Sequence, residues 1–339
     1  MSIKADFLTK IFEKAQTDPK KILLAEADID QTTLQAAIKI ADLKIAKPVL
    51  LAQPGNTSNL LRKIKGINGT IPEEISIIDP QTHKRTHQQL AEQLTQIRKH
   101  KALSYDKAFQ LLQSPYYYSV MLLHNDEVDG IITGRNCSTK ISVKPAFQIL
   151  KPKQTYNLAS SFFIMLHENK LLIFADCAIN IDPTPRELMQ IALDTAKTSQ
   201  HFGIKPKIAF LSFSTNQSSL HPDAQKIVEA TSLTKDYIKT NNLPYIVDGD
   251  IQVDAALIPE ISEKKFPNNS LQGQANILIF PNLFSGNIAY KMVERLGNAE
   301  ALGPILQGLS KPFNDLSRGS KEEDIINLTA LTTLEAQSA

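Results

Sequence analysis

The stretch KPFNDLSRGSKEEDI, residues 311–325, sets a serine, an arginine and four carboxylates within a few turns of backbone. A hydroxyl can donate to a developing oxyanion, a guanidinium can grip phosphoryl oxygens with two prongs, and a carboxylate can take up a proton. Ser320 to Glu323 has the form of a capping box, so a helix is predicted to start at Ser320, with Glu323 reaching back to the cap and Ile325, Ile326, Leu328 and Leu331 as its buried stripe. That leaves Asp324 about one turn in, with its Cβ tilted back toward the loop that bears Ser317 and Arg318. The amides of a helix start also favour an anion. A plain surface loop closed by an Arg318–Asp324 ion pair accounts for the same residues.

The elements that must position these groups alternate short apolar runs with segments of helical period, the pattern of stacked βα units, and the predicted class is α/β. Strands are predicted at 22–27, 48–52, 75–79, 130–134, 161–166, 171–176, 208–212, 245–249 and 276–280. Residues 184–200 read as a helix with Leu188, Ile191, Ala192, Thr195 and Ala196 on one face. Several strands run into polar loops, TGRN at 133, ADCAIN at 175, SFSTN at 212 and DGD at 248. Open α/β sheets bind ligands beyond the carboxyl ends of their strands, although polar turn residues end strands in any case. The Pro-bearing KPKQ (151–154) is the best internal boundary, and the terminal AQSA reads as frayed.

The chain has 339 residues, enough for about two domains. Its 37 Lys and Arg against 35 Asp and Glu leave a formal charge of +2, which carries no footprint of nucleic-acid or membrane-surface binding. Cys137 and Cys177 have neither the number nor the spacing of a disulfide framework or a zinc site, and suit a reduced, cytoplasmic compartment. The N-terminus spaces Phe7, Leu8, Ile11 and Phe12 along one helical face and does not read as a signal peptide. No run reaches the 18 or more apolar residues of a membrane span. The phosphate cradles GxxxxGK[ST] and GxGxxG and the hydrolase elbow GxSxG are not written in the chain. The seven histidines are scattered and are expected on the solvated surface.

Taken with the rest of the C-terminal half, NAEALGPILQGLSKPFNDLSRG (298–319) resembles the signature of the phosphate acetyltransferase, or phosphotransacetylase, family. Similar blocks stand in order at 174–196, 202–215, 247–256 and 279–298, so the likeness covers roughly residues 98–336. The first 97 residues match weakly: AEADIDQTTLQAA (25–37) stands where the family usually shows Pro-Glu-Gly and an arginine. The resemblance implies two α/β domains with a cleft between them, an isocitrate-dehydrogenase-like architecture. Domain I would take residues 1–154 plus 305–339, and domain II residues 155–304, through which such families form homodimers. It implies reversible acetyl transfer between acetyl phosphate and coenzyme A, and with it a place in acetate metabolism. Coenzyme A would be a substrate, with no tightly bound cofactor, no metal and no nucleic-acid or membrane partner.

Carried over by position, the family's catalytic serine, arginine and aspartate fall on Ser317, Arg318 and Asp324. Its further substrate arginine falls on Arg295 and its coenzyme-side arginine on Arg98. The block usually written His-Ser-Thr-Ala-Asp and then Arg-Pro-Ala-Leu-Gln reads CSTKISVKPAFQ (137–148) here. It keeps Ser138 and Thr139, puts Cys137 for histidine, and puts Lys144 for arginine, which holds the charge but loses the two-pronged grip. Asn287, Ser212, Ser214 and Thr215 are loop residues of these blocks, with turn or cap roles equally open. Cys177 is expected to be packed rather than reactive, and Cys137 to be a buried small side chain or a neighbour of coenzyme A.

The chemistry sets a condition on the base. Passing a proton from a thiol of pKa about 8.5 to an ordinary carboxylate of about 3.9 is uphill by about 6 kcal/mol, so either burial of the carboxylate and cations at the sulfur narrow the gap from both sides, or the thiol is already ionised by its surroundings. The altered 137–144 block keeps two alternatives open, a regulatory acyl-CoA-binding relative without turnover and a phosphate acyltransferase for butyryl or propionyl phosphate.

Overall fold

The computed structural model describes residues 3–150, 158–167 and 170–338. The expected boundary KPKQ lies outside them. The chain divides into two compact units, residues 8–153 with 309–339, and residues 1–7 with 154–308.

In chain order come α1 (Ile3–Thr17), β1 (Lys21–Leu24), α2 (Gln31–Leu43), β2 (Lys47–Leu51), α3 (Thr57–Asn68), β3 (Ser76–Ile78), α4 (His87–Ile97), a 3₁₀ turn (Lys99–Lys101), α5 (Tyr105–Leu111), α6 (Pro115–His124), β4 (Gly130–Thr133) and α7 (Thr139–Ile149). The other unit then supplies β5 (Ser160–His167), β6 (Lys170–Ala175), α8 (Pro185–His201), β7 (Lys207–Leu211), α9 (Pro222–Thr240), β8 (Ile246–Ile251), α10 (Val253–Leu257), α11 (Pro259–Lys265), β9 (Ile277–Ile279), α12 (Leu283–Leu296) and β10 (Glu300–Gln307). The chain returns to the first unit with β11 (Phe313–Asp315) and α13 (Glu322–Gln337).

The first unit is built on a parallel five-stranded sheet in the order β11-β4-β1-β2-β3. Such sheets are covered on both faces, which is why Ile22, Leu23 and Leu24 run unbroken and are all fully buried. Asp30 caps α2 by accepting from the Thr33 amide at 2.8 Å, and Thr86 with Gln89 forms a capping box on α4. Helix α13 packs on α2 and β4, and Ile325, Ile326, Leu328 and Leu331 are buried, but so is every residue from Ile325 to Leu334, so the helix is covered all round rather than along a stripe. On α1, Phe7, Ile11 and Ala15 are buried.

The other unit carries a mixed six-stranded sheet, β10-β5-β6-β9-β7-β8, with β5 antiparallel to both its neighbours. All nine predicted strands are present, and Leu188, Ile191, Ala192, Thr195 and Ala196 are buried on α8 as spaced.

Four expectations are corrected. Strands β10 and β11 escape the sequence because a Gly-Pro pair interrupts one and the other is the three residues Phe-Asn-Asp. The C-terminus is not frayed at residues 336 and 337: α13 runs to Gln337, whose amide donates to the carbonyls of Lys14, Ala15 and Asp18. His83 is not solvated; its side chain is 9% exposed and pairs with Glu127 at 2.9 Å. His87 packs against Phe109 and Tyr118, with ring centroids 5.0 and 5.8 Å away.

Asp194 sits among the buried residues of α8 and accepts from Gln190 Nε2 at 2.8 Å. Burial pushes its carboxyl up from 3.8 to about 6, against the pull of the Gln190 hydrogen bond and Lys197. Because the folded value is raised, the stability this group contributes is full below the ordinary value and is lost as pH rises through about 6. Asp194→Asn is therefore expected to be more stable than the parent near pH 8, by up to about 3 kcal/mol, with the gain fading toward pH 4. Denaturant titrations at both ends check this; an equal difference at the two pH values would refute it.

Candidate active site

Strand β1 pairs with β2 on one side and β4 on the other, so the loops after β1 and β4 part company at a topological switch point. Strand β11 lies beside β4 in the register Asp315↔Thr133, and the Leu316 amide donates to the Thr133 carbonyl at 2.7 Å. The loops 25–30, 134–138 and 316–321 thus leave one carboxyl edge together. Over the ends of β1 and β2, beside the first of these loops, opens a cavity of about 600 Å³ lined by Ile29, Pro54, His87 and Tyr118 among others.

Under the loops lies a buried polar floor. Glu26 is 1% exposed; it accepts from Tyr116 Oη at 2.9 Å, from the Arg135 amide at 2.9 Å and from the Asn136 amide at 3.2 Å. Burial pushes the Asp315 carboxyl up to about 6, the Ser142 and Thr139 hydroxyls pull the other way, and Glu26 adds to the rise. Gly134 has φ +99°, and a Cβ there would stand 1.9 Å from Asp315 Oδ1, so only glycine lets the β4 loop pass over this carboxyl. Cys137 is half-buried, within hydrogen-bonding reach of Tyr116 and Ser142; burial, with Glu26 and Asp315 nearby, pushes its thiol up. Those surroundings suit a packing residue. Cys177, fully buried, is packed as expected.

Ser317, Arg318 and Gly319 form an exposed turn, closed by the Ser320 amide donating to the Ser317 carbonyl at 3.0 Å. The capping box stands one residue later than predicted. Lys321 is the N-cap, and Asp324, at the third helical position, accepts from the Lys321 amide through Oδ2 at 2.7 Å. Glu323 is exposed and Asp324 does the capping. No ion pair joins Arg318 to Asp324, so the closed surface loop is not what forms.

Ser138 caps α7 through its carbonyl, which accepts from the Ile141 amide at 2.7 Å, and Thr139 opens that helix beside Asp315. Ser138, Thr139, Ser317, Arg318 and Asp324 therefore share the ends of β4 and β11. Arg98, at the end of α4, donates to the Gln148 carbonyl at 3.4 Å, and Lys144 is exposed one helical turn before Gln148. Arg295 and Asn287 belong to the other unit, both on α12. Arg295 is 78% exposed with Glu294 as its neighbour at 3.5 Å. Asn287 donates to the Cys177 carbonyl at 3.1 Å, which gives it a bracing role. Ser214 bonds Ser218 and Thr215 accepts from the Gln252 amide, both turn roles.

Sequence reasoning missed Glu26, Asp30, Tyr116, Arg135 and Asp315. The acidic AEADID after β1 and the NDLSRG string held the signal, but their partners are 90 or more residues away in the chain. Among the described residues, no cluster of three or more His, Cys, Asp or Glu has metal-holding geometry.

Residues 6–333 match the family described as phosphate acetyl/butaryl transferase. The chain is 38% identical to the phosphate acetyltransferase of Bacillus subtilis, over 98% of this chain and 99% of that one. Among solved structures, a phosphotransacetylase from Streptococcus pyogenes superposes with a TM-score of 0.91 at 38% identity, covering both chains completely. An EutD phosphotransacetylase from Staphylococcus aureus gives 0.89 at 36% identity, covering 99% of each chain. Relatives this similar, matched from end to end, show that the chain belongs to the phosphate acetyl/butaryl transferase family, the one its C-terminal blocks resemble.

Proposed function

We propose that this protein is a phosphate acetyltransferase, moving an acetyl group reversibly between acetyl phosphate and coenzyme A by direct thiolate attack in a ternary complex. The observation that carries the residue assignment is the pairing of β11 with β4, from whose ends the Ser317–Arg318 turn and the start of α7 leave side by side at the switch point. In the forward direction the coenzyme thiol loses its proton, and the sulfur forms a bond to the acetyl carbon. The resulting tetrahedral oxyanion collapses and the bond to the phosphate oxygen breaks, leaving a thioester and inorganic phosphate.

Arg318, exposed on its turn, suits the charge of the phosphoryl oxygens, and Arg295 is the further guanidinium that the family resemblance assigns to the substrate. Ser317 donates to the oxyanion or orients the thiol. Asp324 is the base: Oδ2 is engaged with the Lys321 amide, which aims the carboxylate, and Oδ1 takes the proton. Ser138 and Thr139 border the acyl phosphate, and Arg98 with Lys144 meets the phosphates of coenzyme A. Lys144 does so as a point charge, without a fork. Asn287 supports the substrate side by fixing α12 against Cys177. The two units serve as the enzyme's two domains, and the compartment is the cytoplasm.

A homodimer is part of this reading. Phe284, Ile288, Met292 and Leu296 recur at every fourth residue of α12 and are each more than half exposed, while Gly286 and Tyr290 face inward. A second copy of the same stripe is its self-complementary cover.

Asp324→Asn keeps an oxygen for the Lys321 amide, so it is expected to lower kcat by about 100-fold or more while KM changes little, followed as thioester formation from acetyl phosphate and coenzyme A. Equal losses in both parameters would mean that the carboxylate only shapes the site. Wild-type protein that binds coenzyme A without turnover would overturn the enzyme reading itself. Ile288→Asp combined with Met292→Asp is expected to halve the mass in sedimentation equilibrium, and an unchanged mass would remove this face as the dimer contact.

A further inference from the structure

Arg135 follows β4 by two residues and makes three bonds to two other loops. Its Nε donates to the Ser320 carbonyl at 2.9 Å, its Nη1 donates to Asp30 Oδ1 at 2.5 Å, and its backbone amide donates to Glu26 Oε2 at 2.9 Å. Asp30 is itself held, since its Oδ2 accepts from the Thr33 amide at 2.8 Å and the Thr33 hydroxyl at 2.6 Å as the cap of α2. One guanidinium thus joins the loops after β1, β4 and β11.

Ser320 is buried, and its amide closes the turn on the Ser317 carbonyl, but the residues between have little else to hold them. Ser317, Arg318 and Gly319 are all exposed, and a side chain added at Gly319 would meet nothing within 4 Å. Upstream the turn is fixed by the Leu316 amide on Thr133, and downstream by the Ser320 carbonyl on Arg135 and the Lys321 amide on Asp324. Leu316 and Ser320 are buried at its two ends, so over the exposed stretch between them hydrogen bonds decide where the Ser317 hydroxyl and the Arg318 guanidinium stand.

We infer that Arg135 is a positioning residue for the Ser317–Arg318 turn, acting as a strut between Asp30 at the start of α2 and the Ser320 carbonyl at the turn's far end. The inference rests on the acetyl-transfer reading for its kinetic consequence but not for its structural one. Its charge faces Asp30 on the β1 loop, with Glu26 below. A lysine at 135 could satisfy Asp30 or the Ser320 carbonyl but lacks the fork to satisfy both.

Wild type, Arg135→Lys, Arg135→Ala and Asp30→Asn separate these roles when amide hydrogen exchange over residues 316–322 is measured beside steady-state kinetics. In both Arg135 variants, exchange at the Ser320 amide is expected to rise by about tenfold or more. Their kcat is expected to fall by about 10- to 100-fold with KM for acetyl phosphate nearly unchanged, the pattern of misplaced catalytic groups. Asp30→Asn, which keeps the bond to Ser320, should lose less. Guanidinium added to Arg135→Ala should restore part of kcat, which a merely unfolded or loosened protein would not show. Wild-type exchange over 316–322 in Arg135→Lys and Arg135→Ala would overturn the proposal, as would losses of kcat that track melting temperature and resist guanidinium. Exchange is read without turnover, so a wild-type protein lacking transferase activity would sink the acetyl-transfer reading and leave the exchange result to decide on Arg135.

Discussion

The site depends on β11 lying beside β4. Three residues, Phe313, Asn314 and Asp315, add a strand to the edge of a parallel sheet whose other members come from the first 133 residues. Their backbone bonds, extended by the Leu316 amide on Thr133, bring the Ser317–Arg318 turn to the same edge as Ser138 and Thr139. Without that pairing, the serine, the arginine and the start of α7 would belong to segments separated by an entire second unit. The pairing is supported from below by Asn314, which donates to Thr332 and Glu335 of α13, so strand and helix hold each other in register.

A short edge strand leaves its loop short of packing, and the chain compensates with charge and backbone hydrogen bonds. Glu26 collects the Arg135 and Asn136 amides and the Tyr116 hydroxyl, which ends the β4 loop over an acceptor bonded through both oxygens. Asp315 remains as the buried carboxyl beneath, pushed up to about 6 and given clearance by Gly134. Cys137, standing where the family usually has histidine, fits this floor as a small half-buried group beside Tyr116, with its thiol pushed up by burial. The floor explains how the altered 137–144 block can still present Ser138 and Thr139 at the helix start.

Much of the architecture was legible in the sequence because periodicity reports burial directly. Nine apolar runs became strands, and the buried face of α1 followed from spacing, while α8 and α13 are buried well beyond their spaced positions. The failures have a common cause in non-local partners. Strand β11 is too short and polar to signal itself and exists only because β4 is there to pair with. The capping box slipped from Ser320–Glu323 to Lys321–Asp324 because the preceding turn, bonded to Arg135, sets where helical geometry begins. His83 and His87 look like solvated residues of a polar helix until Glu127, Phe109 and Tyr118 are folded against them.

The amino-acid sequence by itself determined the class of fold, the family and the residue types available for the chemistry, since these follow from period, composition and ordered motifs that are local in the chain. Only the tertiary structure decided that Asp324 rather than Glu323 caps α13, that Cys137 lies over a buried acidic floor, and that Arg135 spans three loops. Each of those depends on a hydrogen bond or a desolvated charge whose partners lie far apart in sequence, and such pairings come into being when the sheet closes.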